Sequence, residues 1–255
     1  MDRLFDLSNK VAIVTGGNGG IGLGMANGLA AAGAGVAVWG RNFDKNQAAE
    51  AELSVHHNRV AAFTCDVADE VAVADALLAT IERFGKVDVC FANAGISGVP
   101  QRFHEMSLDA WRRIVEVNLL GTVTVFQAVI RHLLDRDAPG SLVATSSTSA
   151  LMGAPRAEHY AATKTALQGL IRGLAVEYGR HGIRANAIVP GWVVSDMTAG
   201  VFASERFETR VLPRHPTGRW GTPEDFAGIA VYLASDASRW HTGDAIVIDG
   251  GYTKF

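Results

Sequence analysis

An apolar run, KVAIVT at residues 10–15, passes without a linker into TGGNGGIGLGMANGLA, and few folds accept that junction. Glycines in such a turn let the chain adopt φ > 0 and bring its backbone against a ligand with no Cβ in the way. The stretch that follows, residues 21–32, has helical spacing, so its free N–H groups and positive dipole end face the turn. A strand, glycine turn and helix in this order form the phosphate-binding corner of open parallel sheets. The short glycine fingerprint fits as Gly17, Gly19 and Gly22. In a chain with 28 Gly the bare pattern means little, and its place between a first strand and a first helix carries the weight.

The rest of the chain repeats the alternation. Further β-rich runs lie at 35–39, 59–64, 86–92, 141–146, 183–189 and 244–249, with helical segments such as 68–84 between them. These runs are apolar throughout, the pattern of strands buried on both faces. Strand alternating with helix implies right-handed crossovers. The expected fold is therefore α/β: a doubly wound, seven-stranded parallel sheet with helices on both faces. No linker, repeat or low-complexity tract divides residues 1–255, so one domain is expected, with its longest irregular region near 191–223.

Composition narrows the function. A formal net charge of −3 gives no basic footprint for nucleic acid. No uninterrupted apolar run approaches the ~20 residues of a membrane span, and MDRLFDLSNKVAIVTGG lacks the form of a signal peptide. Cys65 and Cys90 each fall inside an apolar run and read as buried, inert thiols, not as a disulfide or metal site. A cytoplasmic protein with no metal is expected.

A second constellation lies in EHYAATKTAL, where Tyr160 stands four residues before Lys164 on one helix face. Four Tyr and five Lys in 255 residues give roughly 0.08 such pairs by chance, so the surroundings decide. Upstream, ATSSTS closes the fifth strand at the carboxyl edge where open sheets bind ligands, and it offers Ser146, Ser147, Thr148 and Ser149. Ser146 and Ser147 point to opposite sides because side chains alternate along a strand.

Thr15-Gly16-x-x-x-Gly20-Ile21-Gly22 followed by YxxxK resembles the short-chain dehydrogenase/reductase family, and the resemblance runs from residue 10 to residue 252. It implies a Rossmann-type dinucleotide site in which Gly16, Asn18, Gly20, Ile21 and Gly22 form the loop. Asp66 and Val67 would flank the adenine. Asn93, Ala94 and Gly95 would end the fourth strand beside the cofactor, with Ala92 where the family carries another Asn. Pro190 and Gly191 would shape a turn from which Val193 and Ser195 reach the nicotinamide amide or the phosphates. Ser147 has the family's spacing from Tyr160. The implied catalytic set is Asn118, Ser147, Tyr160 and Lys164, with Asn118 holding a water in a relay to Lys164. Family members are usually tetramers or dimers, so a homo-oligomer is implied as well.

The chemistry agrees with that reading. Hydride addition to a ketone leaves an alkoxide that needs a proton, and the reverse reaction needs a base. A free Tyr, with pKa near ~10, is a poor base at neutral pH. The Lys164 ammonium and an oxidised nicotinamide ring are expected to draw it down, while Ser147 polarises the substrate oxygen. At the end of the second strand Gly40 leaves room and Arg41 offers a phosphate partner, which favours NADP over NAD. Against this, NADP-preferring relatives often carry a basic residue at the position of Gly19. The expected activity is reversible interconversion of a ketone and a secondary alcohol, a small carbonyl or alcohol being the substrate and NADPH the favoured cofactor. The alternatives are an NAD-linked dehydrogenase of a sugar, polyol or hydroxy acid, and a non-catalytic nucleotide-sensing regulator. Substrate choice is expected from the loop after Gly95 and from about 196–222, where Phe202, Phe207, Val211, Leu212 and Trp220 alternate with Arg206, Arg210, Arg214 and Arg219. Trp192, His104 and His159 are further candidates for the pocket wall.

Overall fold

The computed structural model describes residues 4–254. Seven strands, β1 (Val11–Thr15), β2 (Gly35–Gly40), β3 (Val60–Thr64), β4 (Val89–Ala92), β5 (Gly140–Thr145), β6 (Ile183–Pro190) and β7 (Ala245–Ile248), pair in parallel in the order β3-β2-β1-β4-β5-β6-β7. The order turns back between β1 and β4, the switch point where such sheets open a crevice for ligand. The helices are α1 (Gly20–Ala31), α2 (Phe43–Leu53), α3 (Glu70–Phe84), α4 (Leu108–Val115), α5 (Gly121–Asp135), α6 (Glu158–Tyr178), α7 (Ala199–Phe202), α8 (Glu205–Val211) and α9 (Ala227–Ala234).

Side-chain alternation divides the core into two layers. Ile13, Ala37, Cys90 and Leu142 face α3, α5 and α6, meeting Val73, Val129 and Leu167. Ala12, Val14, Val38 and Phe91 face the other side, under Met25 and Leu29 of α1 and Leu233 of α9. Cys65 and Cys90 are buried free thiols, and burial holds the Cys65 thiol up at about 12.

Two boundaries differ from the sequence reading for local reasons. α3 starts at Glu70 and not at residue 68, because the Asp69 carboxylate accepts hydrogen bonds from Val71 N and Ala72 N and caps the helix. β4 starts at Val89 and not at residue 86, because buried Asp88 turns its carboxylate to Val11 N at 2.9 Å and to Lys86 at 3.0 Å.

A π turn at Glu116–Leu120 joins α4 to α5, giving one continuous helix, Leu108–Asp135, of 28 residues. By length and hydropathy alone this helix meets the requirement for a membrane span, although no uninterrupted apolar run was visible in the sequence. Half of its most apolar window is buried within the fold, where α5 packs on α3 and β4.

Candidate active site

The glycine loop leaves β1 at the carboxyl edge of the sheet. Gly16 (φ +63°) and Gly20 (φ +51°) take the left-handed conformation that L side chains rarely adopt. A Cβ on Gly22 would collide with the Gly16 carbonyl, so the third glycine of the loop is a packing requirement. The loop is pinned by Gly16 N, which donates to Trp39 O at 2.7 Å. Gly19, at the start of α1, provides no side-chain cap, and the first turn carries no acid. Its N–H groups therefore remain available to an anion.

A cleft of about 300 Å³ runs from this loop across the sheet edge. It gathers Gly16, Asn18, Gly20 and Ile21 with Asn93, Ala94 and Gly95, with Ser147, Tyr160 and Lys164, and with Pro190, Gly191, Val193 and Ser195. Sequence-predicted residues from five separate segments thus meet on one wall. Gly22, Gly40, Arg41, Asp66, Val67 and Asn118 lie outside that lining. Arg41 is 3.7 Å from Asp66, whose other oxygen accepts from Ala68 N, so the pair sits just past the ends of β2 and β3. Val67 is buried and packs against Gly121. Thr145, which sequence reasoning left out, lines the cleft, and Thr15, named there only as the start of the loop motif, supports it from behind. The Thr15 hydroxyl accepts from Asn93 N and Ala94 N, both at 3.0 Å, and Thr145 Oγ1 donates to Asn93 Oδ1 at 3.1 Å. These bonds fix the Asn93–Gly95 turn without help from Ala92, which is buried and apolar.

Tyr160 and Lys164 project from the first two turns of α6. Lys164 is buried, and its Nζ donates to Thr145 O at 2.8 Å while standing 5.6 Å from the centroid of the Tyr160 ring. Burial pulls the Lys164 ammonium down to about 8. Burial also raises the Tyr160 phenol above its ordinary value, and a hydrogen bond with Ser147 offsets only part of that rise. Desolvation of the phenol thus acts against the lowering expected from Lys164 and an oxidised nicotinamide. Ser147 is extended and turned towards this wall, its Oγ accepting from Ser149 N at 3.1 Å. Ser146 points the other way and donates to Lys164 O at 2.8 Å, as the alternation required.

Asn118 lies in the π turn and is fully buried. Its side chain pairs with the Ile96 backbone in both directions, accepting from Ile96 N at 2.8 Å and donating to Ile96 O at 2.9 Å. The amide thereby holds the loop after Gly95 in place. A Cβ on Gly95 would stand 3.2 Å from Asn118 Oδ1 and 3.4 Å from Lys164 Nζ, so this small residue separates the two.

The expected substrate segment begins with Asp196, Met197 and Thr198 in the cleft lining and continues into α7 and α8. Phe202 and Phe207 stack on Trp220 with ring centroids 4.6 and 5.7 Å away, and Trp192 meets Phe207 edge-on at 4.8 Å. Two of the four arginines are engaged by the protein. Arg219 makes a bidentate pair with Asp225 at 2.7 Å, and Arg214 lies over the Tyr252 ring at 4.4 Å. Arg206 and Arg210 are exposed. His159 is buried against Trp111, and His104 is exposed beside Glu105.

Residues 16–253 match the family model described as Enoyl-(Acyl carrier protein) reductase. The chain is 36% identical to gluconate 5-dehydrogenase of Gluconobacter oxydans (strain 621H), over 98% of this chain and 97% of that protein. A crystal structure of a short-chain type dehydrogenase/reductase from Mycobacterium marinum superposes with a TM-score of 0.93 at 35% identity, covering 98% of both chains. The chain belongs to the short-chain dehydrogenase/reductase family. Another crystal structure, of a gluconate 5-dehydrogenase from Burkholderia cenocepacia J2315 in complex with NADP and tartrate, gives a TM-score of 0.93 at 32% identity and covers 100% of this chain and 99% of that one. As a short-chain dehydrogenase/reductase the protein is an NAD(P)-dependent oxidoreductase acting on carbonyl and alcohol groups. The residues present fit such a cofactor: the glycine loop leaves a cradle that a Cβ would fill, and the uncapped end of α1 faces it.

Proposed function

We propose that this enzyme oxidises a secondary hydroxyl of a sugar acid, sugar, polyol or cyclic hydroxy acid and reduces the corresponding ketone in the reverse direction. The observation that carries the reading is one wall holding Ser147, Tyr160 and Lys164 beside the glycine loop. The gluconate 5-dehydrogenases among its relatives favour a hydroxylated substrate over a simple apolar ketone. A nicotinamide cofactor held by the loop at Gly16, Gly20 and Ile21 would supply or accept the hydride, and the chain's own residues handle the rest. Ser147 Oγ donates to the substrate oxygen and fixes its direction. Tyr160 exchanges a proton with that oxygen. Lys164, anchored to Thr145 O, keeps a positive charge beside the phenol and stabilises the tyrosinate.

Because the Asn118 amide is committed to Ile96, we assign it to positioning the loop after Gly95, and any relay water must use other atoms. The segment from about 196 to 222 forms the substrate wall in the one domain, with Trp192 at its base. NADP is the favoured cofactor and NAD the alternative. Assembly as a tetramer or dimer and a cytoplasmic location complete the reading.

A panel of sugar acids, sugars, polyols, cyclic diols and simple ketones, with NADP and NAD, tests it through the absorbance of reduced nicotinamide. The expected result is turnover of a polyhydroxylated substrate. Turnover of simple ketones alone would restore the ketone-reductase reading, and cofactor binding without any turnover would favour a regulator.

A further inference from the structure

The residue at the carboxyl end of β2 meets the adenosine ribose in dinucleotide-binding sheets, and an acid there selects the unphosphorylated cofactor. Here it is Gly40, which does not adopt a positive φ, so a turn does not explain the glycine. Space does. A Cβ on Gly40 would collide with Asn18 Nδ2 and stand 2.5 Å from Asn46 Oδ1. Asn46, 3% exposed, lies in the first turns of α2. Its Nδ2 donates to Gly40 O at 2.8 Å and to Phe63 O at 3.2 Å. Only the NH₂ end of an amide can serve two carbonyls, so the orientation of Asn46 is fixed. Its oxygen faces Asn18 and accepts from Asn18 Nδ2 at 2.7 Å. That bond in turn leaves Asn18 Oδ1 as the free end of a side chain that lines the cleft.

We propose that Asn18, locked by the positioning residue Asn46, occupies the place of the acidic side chain at the end of β2 and reads the adenosine ribose with a neutral amide, admitting both NAD and NADP. The inference rests on the dinucleotide reading and goes beyond it in naming what discriminates. A carboxylate at this point would repel a 2′-phosphate, whereas the amide oxygen accepts a ribose hydroxyl and carries no charge against a phosphate. Arg41 follows Gly40 directly and is half exposed in its pair with Asp66, so a phosphate can recruit it at little cost.

The test titrates NADH and NADPH into the protein by nicotinamide fluorescence, with thermal unfolding alongside. Wild type is expected to bind both within about tenfold of each other, a gap of ~1.4 kcal/mol. Gly40→Asp, which elsewhere would simply favour NADH, is expected to weaken both by about tenfold or more and to lower Tm, because its side chain displaces the lock. Adding Asn18→Gly to Gly40→Asp makes room, and NADH affinity is expected to return to within about threefold of wild type while NADPH stays weak. Asn46→Ala frees Asn18 to turn its NH₂ outward and is expected to shift the ratio towards NADPH by about threefold, whereas a merely structural loss would weaken both alike. The proposal is overturned if Gly40→Asp alone binds NADH as tightly as wild type, or if wild type prefers one cofactor by more than about a hundredfold. Failure of wild type to bind either cofactor would overturn the dinucleotide reading itself.

Discussion

Lys164 Nζ is held 2.8 Å from the Thr145 carbonyl, so the last residue of β5 fixes an ammonium on α6 beside the Tyr160 ring. This single bond ties strand, helix and proton-transfer group together. It also explains how a buried cation persists, since the carbonyl returns part of the hydration it lost.

The Tyr160 hydroxyl is the proposed proton donor and acceptor. Tyr160→Phe should lower kcat by about 10²–10⁴-fold while leaving NADPH affinity nearly unchanged. Steady-state kinetics and a fluorescence titration on one preparation separate the two effects. Wild-type turnover in the variant would remove Tyr160 from the mechanism.

Burial of Lys164 has a consequence for stability. Its folded value of about 8 lies below the ordinary 10.5, so the unfolded chain binds more protons between those limits. Stability relative to a Lys164→Met variant should therefore rise with pH from about 8, by an amount on the order of 3 kcal/mol across the whole interval. The raised Tyr160 phenol works in the opposite sense above pH ~10, where the unfolded chain loses its tyrosine proton first. Urea unfolding of both proteins between pH 7 and 10 measures the difference.

Asn118→Ala removes both partners of the Ile96 backbone in a buried place. A loss of about 2–3 kcal/mol is expected from the unpaired groups. Asn118→Asp keeps an acceptor for Ile96 N but brings a charge into the core. Neither variant should approach wild-type stability in denaturant titration.

Arg156 adopts φ +68° four residues before Tyr160, and its carbonyl accepts from Gln101 N in the loop after Gly95. A left-handed arginine costs about 1–2 kcal/mol. Arg156→Gly should raise stability by about 0.5–1 kcal/mol after the added freedom of the unfolded chain is counted. If Tm falls instead, the arginine side chain contributes more than its backbone costs.

Much of this was legible locally. The glycine loop, the uniformly apolar strands and the Tyr160–Lys164 spacing each sit in a short window and obey one periodicity. Ser147 was separable from Ser146 by its spacing from Tyr160, with strand alternation placing the two on opposite sides. What escaped depends on distant partners or on one extra residue. Asn46 meets Asn18 across 28 residues, and nothing near Asn46 marks it as other than a helix residue. The π turn that carries Asn118 has no glycine or proline within it, and Gly121 at its end reads in the sequence as an ordinary helix residue. Lys45 reaches Asp196 at 2.6 Å across the cleft, a pair that no local pattern suggests. The desolvation of the Tyr160 phenol escaped for a related reason: the charge beside it could be read from spacing, whereas its burial required the whole fold.

The π turn at Glu116–Leu120 also shows how this site is tuned. Buried positions along the helix recur every fourth residue, at Ile114, Asn118, Thr122, Phe126 and Ile130. In a regular α-helix that stripe slips by about 40° at each step, and the one wide turn takes up part of the slip. Deleting a single residue there would rejoin the helix as regular α turns, with the turns on either side nearly in phase and the wide turn around Asn118 lost. The hold of Asn118 on the loop after Gly95 thus depends on one extra residue in a long helix, which a deletion removes and a substitution leaves in place.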